Sequence, residues 1–318
     1  MFKKALIRGG YIFLIGILML ALTWGPGEIW QWDILTLMGT MTVILFFCRL
    51  LPPGLVLVVC LFIAVATPWL RAGIDFAAVW GGPFVQVPIL SQFFPGILID
   101  AGSEFKVIWK LQDVLLGFLF TGYFPLMPWS LFPLVGVVIG RRIVSGRIQN
   151  DLPFLMIIGG LFACLGLGGA YASLFRPGSS IISDFISPLS IFPDSFTMIS
   201  LQMGMALIVF SSLHFFYDVR KRDSSRVSFL VRLYVRSSRF SLTFYFLHYL
   251  MIGWPLMIVA QITGRDAISA LMGPFPALLS GLAALALLEV LLLLWEKHGS
   301  KYSLEWWLTA ITSHLTKR

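Results

Sequence analysis

Hydrophobic and polar positions alternate in long blocks along this chain. Apolar segments recur at roughly 5–24, 34–50, 53–70, 114–140, 152–175, 196–217, 240–261 and 277–296. Blocks of about 17–25 apolar residues are what a helix needs to cross a ~30 Å hydrocarbon layer. The pattern predicts an all-α polytopic membrane protein with about eight transmembrane helices over residues 1–298. An amphipathic tail helix is expected over 299–318, from Trp306, Trp307, Leu308, Ile311 and Leu315.

Two connections carry their own signals. The stretch 71–113 is too long for a turn and too broken for a span, with Gly81-Gly82-Pro83, Pro88 and Pro95-Gly96. It reads as an external cap or re-entrant segment, since long irregular loops in membrane proteins lie outside the lipid or line a cavity. The connection 219–239 mixes a dense run of Arg and Lys with Val227, Phe229, Leu230, Leu233, Tyr234 and Val235. This is first the composition of an interfacial helix resting on membrane lipids, and second that of a phosphate-binding face toward a nucleotide-bearing donor. Trp24, Trp30, Trp32, Trp69, Trp80, Trp109 and Trp129 gather near one predicted face, as an interfacial belt does.

Charge placement gives an expected orientation. If the first segment enters from the cytoplasm, eighteen of the 23 basic residues stay inside, and only Arg71, Lys106, Lys110, Arg176 and Arg265 face out. The positive-inside rule then puts both termini in the cytoplasm, with the chain in the inner (plasma) membrane. A composition 58% hydrophobic and 12% charged, with mean hydropathy +0.90, lies outside the range of soluble domains. The net charge of +8 sits at span ends, where it meets anionic headgroups, so nucleic acid is not an expected partner. The first segment ends in Leu22-Thr23-Trp24-Gly25-Pro26, without small residues for cleavage, and reads as a retained helix. Cys48, Cys60 and Cys164 fall inside spans and read as buried packing residues; neither a disulfide framework nor a metal site is expected.

Ionisable groups inside a membrane are costly and so draw attention. Glu289 lies in the middle of the last span, and reads either as a buried hydrogen-bonded group or as part of a proton or substrate path. In the seventh span, Ser241, Tyr245 and His248 stand at i, i+4 and i+7, one helix face with three polar tips. His248 is either a tie between helices or a reactive base. Asp33, ahead of the second span, is a natural helix cap. Gly159-Gly160, Gly166 and Gly168-Gly169 predict close helix–helix contact. No Walker loop, H-E-x-x-H or G-x-S-x-G motif occurs.

The run Gly122-Tyr123-Phe124-Pro125-Leu126-Met127-Pro128-Trp129, followed by Gly136 and Gly140-Arg141, resembles the bacterial relatives of heparan-α-glucosaminide N-acetyltransferase. Ser241 to His248 is similar to a late span of that family and to the final Ser-x-x-x-Tyr-x-x-His helix of type-3 membrane acyltransferases. Asp33-Ile34-Leu35 with Gly39 resembles the span between them. The resemblance covers residues 1 to about 260. It implies acyl transfer, commonly acetyl, from acetyl-CoA on the cytoplasmic side to an envelope glycan or lipid-linked sugar. No tightly bound cofactor is implied. On this reading His248 is the base that deprotonates the acceptor, and Tyr123, Trp129, Tyr245, Asp33 and Glu289 are candidates for substrate contact. Arg141 and Arg142 would meet the CoA phosphates. Tyr123, Trp129, Tyr245 and His248 are expected to approach one outward-opening cavity, with Arg141 at its cytoplasmic end. The family begins with two or three further helices carrying an early histidine, whereas the first histidine here is His214. The resemblance then leaves three alternatives: an N-terminally shortened product, a companion polypeptide that supplies those helices as a partner, or loss of catalysis. Two other readings stay open: a transporter or flippase for a small or lipid-linked substrate, and a noncatalytic membrane subunit.

Overall fold

The computed structural model describes residues 1–74, 80–81, 85–86, 97–99, 104–105, 110–175, 185–190, 194–220, 229–263 and 274–316. Helix dominates. Among the described residues, seven helical stretches are long and apolar enough to cross a membrane: Phe2–Thr23, Pro53–Arg71, Leu111–Val144, Ile148–Ser173, Phe196–Val219, Ser241–Val259 and Leu278–Lys297. The expected second span is the shorter apolar helix Ile34–Cys48. Its 15 residues rise about 22 Å, less than the ~30 Å of a hydrocarbon core. The protein is an all-α, multi-pass membrane protein. The chain divides into a central unit, Trp30–Arg222, and a terminal unit formed by Met1–Ile29 with Asp223–Arg318.

In the central unit α2 (Ile34–Cys48) starts at Asp33, whose carboxylate accepts the Leu35 N–H at 3.0 Å. Helix α3 (Pro53–Ala72) starts with proline in its first turn, where the missing N–H costs nothing. The predicted span 114–140 is interrupted. It comprises α4 (Leu111–Leu116), a π turn (Gly117–Thr121), the one-turn helix α5 (Leu126–Trp129) and α6 (Leu131–Val144). Helices α7 (Ile148–Ser173) and α8 (Phe196–His214) follow, and Ser195 caps α8 by accepting the Met198 N–H at 3.2 Å. The core gathers Leu37 and Met41 of α2, Val56, Cys60 and Ile63 of α3, Leu131 and Leu134 of α6, and Ile199, Met203 and Leu207 of α8. Cys60 is buried as expected, but Cys164 is exposed.

Much of the expected cap, 71–113, lies outside the described residues. Its described parts are short strands: β1 (Trp80–Gly81), β2 (Val85–Gln86), β3 (Ile97–Ile99) and β4 (Glu104–Phe105). β1 pairs antiparallel with β4, and β2 pairs antiparallel with β3. β3 also pairs in parallel with β5 (Leu189–Ser190).

Helices α7 and α8 approach so closely that side chains are excluded at the crossing. A Cβ on Gly204 would stand 2.4 Å from the Ala163 nitrogen; one on Gly166 would stand 2.6 Å from the Thr197 oxygen. Gly159 and Gly169 face the same contact, whereas Gly160 and Gly168 meet nothing within 4 Å. The glycine series thus splits into a packed face and an open face, as a helix requires.

The terminal unit holds α1 (Phe2–Thr23), α9 (Phe229–Arg239), α10 (Ser241–Thr263), α11 (Pro274–Lys297) and α12 (Leu304–Thr316). Glu305 of α12 caps the start of α10. Its carboxylate accepts the backbone N–H of Leu242 (2.7 Å) and Thr243 (2.9 Å) and the Thr243 hydroxyl (2.6 Å). Tyr11 of α1 donates to the Leu304 carbonyl at 3.2 Å, so the tail helix is tied to two spans. The tight turn before it uses left-handed backbone at Gly299, Ser300 and Tyr302, and Trp295 donates to the Lys301 carbonyl.

The split glycine face gives a direct test by thermal unfolding of the purified protein in detergent. Gly204→Ala should cost about 1–3 kcal/mol by overpacking, and Gly168→Ala should leave the midpoint unchanged or raise it.

Candidate functional site in the Gly122–Trp129 segment

The segment that carries the family resemblance breaks the helix from Gly122 to Pro125, and the N–H groups of Gly122, Tyr123 and Phe124 have found partners. The π turn closes with the Gly122 N–H donating to the Gly117 carbonyl at 2.8 Å. Beyond it the chain runs extended, and the Tyr123 and Phe124 N–H groups donate to the carbonyls of Gln31 and Trp32, both at 2.9 Å. Inside hydrocarbon a break in the helical ladder is tolerated only where other protein groups satisfy it. Residues 31–32 do this here.

Trp32 is the fulcrum. It is 5% exposed and has φ +60°, left-handed backbone that a bulky residue adopts at a cost of about 1–3 kcal/mol. Its indole donates to the Val114 carbonyl at 3.1 Å and packs 4.8 Å from the Phe118 ring. Gly117 and Gly122 make room for it: a Cβ at either position would stand 2.9 Å or 2.8 Å from Trp32 atoms. The sequence placed Trp32 in an interfacial belt. Trp24 and Trp69 are indeed exposed, but Trp32 is a buried packing residue.

An unpredicted ion pair lies in the same unit. Arg71, closing α3, binds Asp194 ahead of α8 with both terminal nitrogens, at 3.1 Å and 3.3 Å, and donates to the Asp194 carbonyl at 2.8 Å. The side chains are 12% and 0% exposed. Burial pushes the Asp194 carboxyl above the ordinary carboxylate range, and the Arg71 charge draws it back in part. The buried indole N–H of Trp129 lies near the same carboxylate without reaching hydrogen-bond geometry. Sequence reading passed over both ion-pair residues because Arg71 counted only as an outward-facing charge.

Trp129 also borders an apolar groove of about 420 Å³, walled by α2 from Ile34 to Leu45 and by Trp129, Phe132 and Pro133. Asp33 stands just before this wall as the cap of α2, so its carboxylate has a structural use. At the other end of α2, Arg141 donates to the carbonyls of Leu51 (2.5 Å) and Cys48 (2.7 Å). A cation at a helix C-terminus is favoured by the dipole. Arg142 forms a two-point pair with Asp151, one contact at 2.7 Å. Both arginines proposed for CoA phosphates therefore already hold protein partners.

The remaining candidates belong to the terminal unit. Tyr245 and His248 are half-buried and touch, with ring centroids 5.0 Å apart; Ser241 of the same stripe is exposed. His248 Nδ1–H donates to the Tyr245 carbonyl, one turn back on α10. In the neutral ring that bond places the hydrogen on Nδ1 and the lone pair on Nε2. Glu289 is paired: it accepts from Ser237 of α9, and Arg236 reaches it at 3.4 Å. Arg236 and Arg239 also bind Glu296, at 3.0 Å and 2.8 Å. Glu289 is half-buried and hydrogen-bonded. The unit division places Tyr123, Trp129, Asp33, Arg141 and Arg142 in the central unit and Tyr245, His248 and Glu289 in the terminal unit.

Comparison with protein-family models, curated proteins and solved structures finds no match to this chain.

Removing one partner of a buried ion pair leaves an uncompensated charge, which costs about 3–5 kcal/mol. Arg71→Gln should therefore lower stability strongly, and the double change Arg71→Leu with Asp194→Leu should recover most of the loss. Unfolding of the three proteins in detergent, followed by tryptophan fluorescence, measures both.

Proposed function

We propose that this membrane protein is acyltransferase-like, moving an acyl group, in the simplest case acetyl, from acyl-CoA to an envelope glycan or lipid-linked sugar. The observation that carries this reading is the Gly122–Trp129 segment. It bears the family resemblance, and it is the place where the central unit gives up regular helix and spends buried hydrogen bonds on holding one irregular shape. Strain and irregularity held by their surroundings are typical of functional sites.

The chemistry assigned to this chain is a single exchange. His248 Nε2 accepts the proton of the acceptor hydroxyl or amine as that oxygen or nitrogen attacks the thioester carbonyl. The new ester or amide bond forms as the carbon–sulfur bond breaks, and the CoA thiolate leaves and takes up the proton. The tautomer set by Tyr245 leaves Nε2 as the accepting atom. Tyr123, Trp129 and Tyr245 are assigned to acceptor contact, with aromatic faces suited to sugar rings. Arg141 and Arg142 are assigned to CoA phosphates; each guanidinium has five N–H donors, so a phosphate shares it with the protein partners already described. In this reading both termini lie in the cytoplasm and the protein resides in the inner membrane.

Release of free thiol from acetyl-CoA in membranes containing the protein and a glycan acceptor tests the proposal. His248→Gln should slow release by at least about 100-fold while the protein still elutes as folded in detergent, the scale of one general base. Unchanged release in that variant removes His248 from the reaction. No release by the unaltered protein over a range of amino- and hydroxyl-sugar acceptors overturns the acyltransfer reading itself.

A further inference from the structure

We infer that the groove along α2 is a binding site for one anionic phospholipid, with an acyl chain in the groove and the phosphate at Arg49. The walls are apolar along about 16 Å of helix from Ile34 to Leu45. Thr42, the one hydroxyl on that wall, spends its proton on the Met38 carbonyl at 2.8 Å. Beyond the ring face of Trp129 and the engaged Thr42 hydroxyl the lining supplies no polar group to hold a sugar or a nucleotide, whereas its apolar wall suits the hydrocarbon chains around a membrane protein.

Charge complementarity chooses among lipids. Met38, Thr42, Leu45 and Arg49 stand at i, i+4, i+7 and i+11, so Arg49 continues the groove's own stripe one turn past its end. Arg49 is exposed, and its guanidinium lies 4.0 Å over the Phe46 ring, a contact that holds the cation beside the helix. Arg141, bound to the Cys48 and Leu51 carbonyls, places a second positive charge at the same helix end. Between Asp33 and Arg71 the sequence has no carboxylate, so neither α2 nor α3 answers these charges with an acid of its own. A chain lying in the groove with its headgroup at the Leu45 end presents its phosphate to this cationic pair. A zwitterionic lipid brings an ammonium to the same place and gains less.

The inference does not depend on acyl transfer. Its test is native mass spectrometry of the purified protein in detergent, with phosphatidylglycerol or phosphatidylcholine of identical acyl chains added in turn. Phosphatidylglycerol should be retained with roughly fivefold preference, the worth of one arginine toward an anionic headgroup. Arg49→Gln should bring retention to the phosphatidylcholine level. Met38→Trp and Leu45→Trp, which fill the groove from different positions, should reduce retention of both lipids. Equal retention of the two lipids by the unaltered protein overturns the headgroup assignment. Undiminished phosphatidylglycerol binding in either folded filling variant overturns the groove. Should neither filling variant fold, the lipid preference and its loss in Arg49→Gln still decide the proposal.

Discussion

A hydrocarbon layer supplies no water to an unpaired backbone group, and every irregular feature of this protein is built around that constraint. Each helix end or break within a span leaves N–H or C=O groups without intrahelical partners. Here protein groups near and far in sequence provide them. Asp33 serves the first turn of α2, and Arg141 serves the carbonyls where α2 ends. The carbonyls of Gln31 and Trp32 take the N–H groups released at Tyr123 and Phe124. Glu305 takes those at the start of α10, from a helix some sixty residues further on. The same bonds that satisfy the backbone also fix which helices are neighbours within each unit.

Charged side chains follow the same economy. Arg71 with Asp194, Arg142 with Asp151, and Arg236 with Glu289 and Glu296 each join two elements through opposite charges. An isolated charge in such surroundings is costly, while a pair with further hydrogen bonds is tolerable. Glu289 shows how this alters a functional reading. A carboxylate in a long apolar run suggests a substrate path, yet the hydroxyl of Ser237 and the guanidinium of Arg236 account for it as the anchor of an amphipathic helix. His248 differs, because its local bond engages one ring nitrogen and the carbonyl it meets lies on its own helix.

What the sequence could show depended on whether a feature repeats. Spans repeat over about twenty residues and were legible, as were the cap at Asp33, the amphipathic helices α9 and α12, and a glycine-lined contact on α7. The partner of that contact, Gly204, stands alone in α8 and left no pattern. The pairing of Arg71 with Asp194, separated by 123 residues, has no periodic trace either. Glu305 lies in the first turn of the tail helix, a common place for an acid, and nothing local in the sequence marks it as the cap of a different helix. The interruption at Gly122–Pro125 was readable from its prolines, but Trp32 as its support was not, because a tryptophan near a span end has the commoner role of interfacial anchor.

That support bears on function. A helix break could serve insertion or packing alone, in which case a loose turn satisfied by any nearby carbonyl would suffice. The observed arrangement demands more: a bulky residue in left-handed backbone, two glycines with no room for a Cβ, and a buried ion pair in the same unit. The Trp32 backbone and the two crowded glycines depart from what is cheapest locally, and both bear on the chain around Gly122 to Phe124, where the carbonyls of Gln31 and Trp32 take its N–H groups. Sequences that merely need to fold tend toward agreement between local preference and global structure. Several local preferences are overridden together here, which is the physical ground for reading the Gly122–Trp129 segment as more than a connection.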